Sequence, residues 1–317
     1  MEQQKEDRRI TRRKALVGLA AAAGVSAAVL AGGYGLDKLI KSGDETAAEP
    51  KLRSKFIAGP VPASDPGSDL WRQAPGQQIA LEGQNVIVPL KGQASVQTVS
   101  ARSLHDQETI AFLLEWDDAA RDEHAIKIDQ FRDACGVFLG PFPANPALWT
   151  MGTPDSPVTI LHWKADWQLD IDQGFQDLEV AFPNVAFDFY PPLVGVVNPR
   201  IPDDYPEEAR NRLPGWYSGN PLSQPVKQSP VEKLRAIGPG TLEHLATQNA
   251  TGRGVWKRSV WKVVLAKPMN AADGEEQTVE PGKTYSLAFT VWSGLDTDRG
   301  SRKSLTKLGQ LDVDPAS

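Results

Sequence analysis

The chain has 317 residues, 40% of them hydrophobic and 23% charged, with a formal net charge of −6. That acidic balance argues against a nucleic-acid partner, whose phosphates require a basic face. The single cysteine, Cys135, excludes an internal disulfide, and with no CxxCH motif it also excludes covalent c-type haem attachment and cysteine-ligated iron–sulfur clusters.

Residues Thr11–Val17 read TRRKALV, a twin-arginine pair that leads into the uncharged stretch Ala15–Leu36, rich in Ala and Gly. This pattern predicts a Tat-type export signal over residues 1–48. At 22 residues the run is long enough to span a bilayer, but it is only mildly apolar. Export with cleavage after Ala31 or Ala48 is therefore expected, and retention as an N-terminal membrane anchor is the alternative. Removing residues 1–48, with eight basic and six acidic residues, leaves 26 basic against 34 acidic, a net charge of −8. The Tat route carries folded cargo, so the functional form is expected in the periplasm or another extracytoplasmic space, with its cofactor or partner already in place.

Residues 49–68 read as a linker and 69–317 as one β domain. Short β-branched and aromatic runs bounded by Gly, Pro, Asn and Asp predict strands at Val86–Leu90, Val96–Ser100, Thr109–Trp116, Ala134–Leu139, Val158–Trp163, Trp261–Leu265 and Tyr285–Trp292. The run IAFLLEW, Ile110–Trp116, is apolar on both faces, as a central strand buried between two layers would be. The expected fold is an all-β antiparallel sandwich with a few short helices, one of them at Pro230–Ala236. From Phe189 to Pro230 the chain is dense in Pro, Gly, Asn and Tyr. A stretch of that length reads as a functional excursion, a lid on one edge that Tyr190, Trp216 and Tyr217 would pack down.

The segment Pro146–Gln168, PALWTMGTPDSPVTILHWKADWQ, carries the most chemical information. It places Met151, one of only three methionines, in a Met-Gly pair beside a turn and ahead of an aromatic strand with Lys164 and Asp166. A thioether on a loop above an apolar wall suits one axial position of a b-type haem. The plainer reading is a gap-filling core methionine.

In chain order, Trp71 in DLWRQAP, IAFLLEWDD, FRDACGVFLG, TMG…HWKADWQ, GNPLSQPVKQSPVEKL, GPGTLEHL, GVWKRSVWKVVLAKPM and LAFTVWSG…RGSRKSL together resemble a known group. It comprises the haem-binding gamma subunits of ethylbenzene dehydrogenase, dimethylsulfide dehydrogenase, selenate reductase and chlorate reductase. The resemblance covers most of Asp69–Leu311 and rests on order and spacing. It implies a β-sandwich that holds one non-covalent haem b between a methionine and a lysine. Met151 falls on the methionine position. For the second ligand the resemblance favours Lys227, whereas the chemistry of a neutral imidazole favours His244, with Lys233 as a third candidate. Trp163 and Lys164 are expected near the haem. Lys164 and Asp166 would meet a propionate or a partner, or else form a cross-strand ion pair.

His162 reads as a hydrogen-bonded strand histidine, and His105 and His124 as solvated turn residues. Asp117 and Asp118 read as a solvated turn rather than a Ca²⁺ site. No Ser-His-Asp arrangement, HExxH or Gly-rich phosphate loop occurs. The expected function is therefore electron transfer without catalysis by this chain. By resemblance, the partners would be a molybdenum-cofactor catalytic subunit, an iron–sulfur subunit and a soluble or membrane electron carrier. A haem-free, carbohydrate-binding or adhesion sandwich is the rival reading, since nine Trp could furnish aromatic platforms.

Overall fold

The structure is a computed structural model. It describes residues 49–143, 151–184, 227–271 and 274–316, together with positions 215, 220 and 224. The expected signal over 1–48 lies outside the described residues, as does most of the expected lid, with Tyr190, Trp216 and Tyr217.

The chain is all-β. Its strands are β1 (Lys51–Phe56), β2 (Gln77–Ala80), β3 (Glu82–Gly83), β4 (Thr98–His105), β5 (Thr109–Asp117), β6 (Ala134–Gly140) and β7 (Val158–Lys164). They continue with β8 (Val231–Ala236), β9 (Glu243–His244), β10 (Thr251–Lys257), β11 (Val260–Pro268), β12 (Thr284–Trp292), β13 (Ser304–Leu305) and β14 (Gly309–Val313). Among the described residues the α-helices are few and short, α1 at Ala165–Gln173 and α2 at Leu178–Ala181. The hydrogen-bonded order is β10-β11-β5-β4-β1-β14-β12-β6-β7-β8-β9, with β2 on β4 and β13 joining β12 to β3. Pairing is antiparallel except where β1 lies parallel to both β4 and β14.

The path folds into two layers. One is β10-β11-β5-β4 and the other β12-β6-β7-β8, with β1 and β14 linking them. Close approach between layers is imposed by glycines: a Cβ on Gly254 would lie 2.4 Å from the Trp163 ring, and one on Gly252 would lie 2.7 Å from a Val231 methyl. Alternation along each strand sends Phe112, Leu114, Val137, Leu161, Trp163, Val263 and Phe289 into the shared core. Trp163 and Trp261 meet edge to face at 5.0 Å. Burying each such aromatic contributes roughly 1.5–3 kcal/mol. The strand β5 is apolar on both sides, as its sequence predicts. Its other face, with Ala111 and Leu113, joins Leu104, Val264 and Ala266 under Ile57, Val61 and Trp71, which cover the first layer from outside.

Three expectations are corrected. The stretch 49–68, expected as a linker, supplies β1, because Leu52 and Ser54 are buried between two neighbouring strands. Pro230–Ala236, expected as a short helix, is strand β8. Val231–Ala236 is held between β7 and β9, so ladder pairing overrides a weak helical pattern. Val86–Leu90, expected as a strand, is a loop.

Candidate functional site

The side chains of the second layer that do not enter the core form an ordered outer face. Strand register sets three rows across it. The first is Leu234–Ile160–Phe138–Ala288, the second Glu232–His162–Gly136–Thr290, and the third joins Lys164, Ala134 and Trp292. The first row is apolar and the other two carry the polar groups. Gly136 keeps the middle low, since a Cβ there would lie 2.8 Å from Thr290 Oγ1 and 3.2 Å from the Leu161 carbonyl. Over this floor lies a cavity of about 530 Å³. Its remaining wall comes from the Gln84–Ile87 loop, Gln130–Arg132, Pro239–Leu242, and the run from Asp298 to Leu308.

Met151 lines the cavity at its apolar end, packed with Val158, Ala236, Phe138, Ile160 and Leu308. Its φ is +76°, a left-handed conformation that costs a non-glycine residue about 1 kcal/mol or more, and such strain collects at ligand-holding sites. The Gly238 N–H donates to the Met151 carbonyl at 3.0 Å, tying this turn to the end of β8. Gly152 follows at φ +87°, and a Cβ there would lie 2.9 Å from the Ser156 carbonyl. The Met-Gly pair is thus a backbone requirement as well as a side-chain one.

Lys303 lines the same cavity at the other end of the rows, its Nζ 5.0 Å from the Trp292 ring centroid. Among the described residues no carboxylate or hydrogen-bond acceptor pairs with this amine, and burial pushes its pKa down to about 8. The first and third rows are four residues apart along the strands, roughly 13 Å at about 3.3 Å per residue. A thioether and an aminobutyl chain therefore line one cavity from its two ends. His162 also lines it, 4.8 Å from the Trp292 ring. Burial, followed by the charges of Lys164, Arg132 and Lys303, holds its imidazole well below the ordinary value and hence neutral at pH 7.

The other expected site residues lie elsewhere. Lys227 is outside the cavity lining, 3.8 Å from Asp170 and 5.5 Å from the Trp167 ring centroid. His244 is exposed on β9 and paired to Glu232. Lys233 points to the opposite side of β8, fully buried against Glu276 at 2.8 Å and Asn249 at 2.6 Å. Trp163 faces the core, donating to Gln168 Oε1 at 3.0 Å. Lys164 forms a cross-strand pair with Glu232, and Asp166 accepts from Arg132 at 3.0 Å, so both take the ion-pair role. His105, expected in solvent, is fully buried at the end of β4. Asp118 is buried too, and it accepts from Trp116 Nε1 at 3.4 Å and from the Ala120 N–H at 3.2 Å. No group of three or more His, Cys, Asp or Glu suited to a metal ion occurs among the described residues. Lys303 was missed by sequence reasoning. Its only signal was a position inside RGSRKSL, where flanking arginines make a surface lysine the natural reading.

The donor set fits a haem. The lining combines apolar walls, a thioether, and an enclosed amine without a partner, which can bind iron once it loses its proton. The volume falls within the range of about 300–1,000 Å³ usual for cofactor pockets. The family described as ethylbenzene dehydrogenase matches residues 68–176 and 207–304 of this chain. The gamma subunit of chlorate reductase from Ideonella dechloratans is 23% identical over 304 residues, covering 94% of this chain and 95% of that one. A proposed respiratory nitrate reductase haem subunit, ORF7 of Haloferax mediterranei, is 19% identical over 246 residues, 76% of this chain and 65% of that one. A family 9 carbohydrate-binding module from Caldicellulosiruptor kristjanssonii, solved with glucose, overlays with a TM-score of 0.36 at 8% identity, covering 84% of this chain and 97% of that one. That likeness carries no argument about a ligand.

Proposed function

Since the chain belongs to the ethylbenzene dehydrogenase family, we propose that it is an exported b-type cytochrome subunit. In this reading it passes single electrons between a molybdenum and iron–sulfur oxidoreductase and an external or membrane carrier. The observation that carries the reading is that Met151 and the unpartnered Lys303 line one cavity. Met151 and Lys303 would hold the haem iron in this proposal, in place of Met151 with Lys227 or His244. The bound haem supplies a one-electron iron couple, whose potential thioether ligation raises.

The chain's own residues do the rest. Lys303 must be neutral to coordinate, and burial lowers the cost of losing the proton. The Gly238-to-Met151 hydrogen bond and the Gly152 turn hold the thioether in place. Leu234, Ile160, Phe138 and Ala288 exclude water from one side of the space. Two relatives support haem and subunit status, one named a gamma subunit and the other a haem subunit. A catalytic molybdenum-cofactor subunit and an iron–sulfur subunit are the partners this reading calls for.

The test is an optical spectrum of the purified full-length protein, oxidised and then reduced with dithionite. A low-spin b-type Soret band and a sharp α band are expected. Protein that is folded by circular dichroism but binds no haem from the cell or from added hemin would overturn the reading and favour a haem-free sandwich.

A further inference from the structure

Haem b is polar on one edge only, where it bears two carboxylate tails. The cavity has a matching asymmetry. Beside the third row its rim carries Arg132, two residues before Ala134, and Arg299, on the loop that Trp292 anchors by donating Nε1–H to the Gly300 carbonyl at 3.0 Å. The Arg299 guanidinium stands 4.8 Å from the ring centroid of Phe131, the residue that precedes Arg132 in sequence.

Charge matching on the wall shows which cations are spare. Asp298 accepts from Lys91, from Ser95 Oγ at 2.9 Å and from the Ser293 N–H at 3.3 Å, and Glu82 lies 3.8 Å from Lys307. Arg132 gives one N–H to Asp166 and keeps 29% of its side chain exposed, so part of its five-donor fork is still open. The Arg299 guanidinium donates to the Thr297 carbonyl at 3.1 Å, and among the described residues no carboxylate pairs with it.

We propose that Arg132 and Arg299 form a carboxylate receptor at the cavity mouth that binds the two propionate tails and so fixes which edge of the tetrapyrrole enters first. The proposal rests on the haem reading but concerns different residues and a different part of the ligand. Arg suits the task because its planar fork matches a carboxylate. Arg132 is held in position by Asp166, and Arg299 by its stacking on Phe131.

The test uses full-length protein produced without haem and titrated with metal-free protoporphyrin IX or with its dimethyl ester, followed by porphyrin fluorescence. Neither probe can bond to Met151 or Lys303 through iron. Wild type is expected to bind the diacid about ten- to a hundred-fold more tightly than the diester, as one or two charged hydrogen bonds would give. Arg132→Gln with Arg299→Gln should bring the ratio close to one, and the paired Lys variants should recover part of the preference. Equal binding of diacid and diester by wild type, or full preference kept by the double Gln variant, would overturn the receptor while leaving the haem reading intact. If wild type binds neither porphyrin, the receptor is overturned, and the haem reading stands or falls on the spectrum of the reduced protein.

Discussion

The amine of Lys303 stands over the ring of Trp292, 5.0 Å from its centroid, and takes no carboxylate partner among the described residues. A cation–π contact contributes about 0.5–2 kcal/mol, and burial still lowers the pKa of this half-buried amine to about 8, beside a cavity that Met151 also lines.

The two proposed iron ligands should be separable from the earlier candidates by substitution. Met151→Ala is expected to leave the sandwich folded, at a cost of no more than about 2 kcal/mol because the side chain is only half-buried, and to convert the haem to a high-spin form or reduce its occupancy. Lys303→Ala should do the same, whereas Lys227→Ala and His244→Ala should leave the ferric spectrum native. Optical and electron paramagnetic resonance spectra of the four variants decide the matter. A Lys227 variant alone in losing the low-spin signal would restore that residue as the ligand.

The haem-free protein should show a pH signature of Lys303. Its pKa in the folded chain is lowered to about 8, against about 10.4 when unfolded. Between those values the unfolded chain binds more protons, so stability rises with pH across the window and is flat on either side. Urea melts at pH 7.5, 9 and 10.5, each compared with Lys303→Met, isolate the effect. The variant should lack that rise, and an identical slope in both proteins would place the titration elsewhere.

Gly152→Ala tests whether the Met151 turn is a backbone device. The substitution meets both a φ of +87° and an acceptor 2.9 Å from the new Cβ, so it should cost about 1–3 kcal/mol. It should also weaken haem retention, measured as the rate of haem loss to a scavenging apoglobin. A variant that melts lower but holds haem as wild type does would separate the turn from the ligand.

The export reading concerns the N-terminal sequence alone. Replacing Arg12 and Arg13 with Lys preserves charge but removes the arginine pair, so the protein, and any partner travelling with it, should accumulate in the cytoplasm. Cell fractionation with immunoblotting reports the outcome. Unchanged periplasmic accumulation would reassign the segment to a Sec signal or an anchor.

Strand legibility varied with burial. The runs at Thr109–Asp117, Ala134–Gly140 and Thr284–Trp292 could be read because each strand there carries its own hydrophobic pattern. The strand β1 could not, because Lys51, Arg53 and Lys55 alternate with Leu52 and Ser54 in a run with little apolar character, and parallel neighbours from residues 98–105 and 309–313 make it a strand. In β8 the charges of Glu232, Lys233 and Arg235 concealed a buried strand, since Glu232 and Lys233 find their partners on distant segments, at Lys164 and Glu276, and Arg235 meets Glu243 on the adjacent β9.

The sequence by itself determined the all-β class, the family resemblance and the choice of Met151, because local alternation, motif order and a rare residue type are properties of the linear chain. The tertiary structure alone decided that the cavity lies on the outer face of β12-β6-β7-β8 rather than between the layers, and that Lys303, not Lys227 or His244, shares it with Met151. Cross-strand register and loop closure bring residues some 150 positions apart into one enclosure. Whether a lysine there keeps a counterion or loses its proton depends on neighbours that no local pattern names.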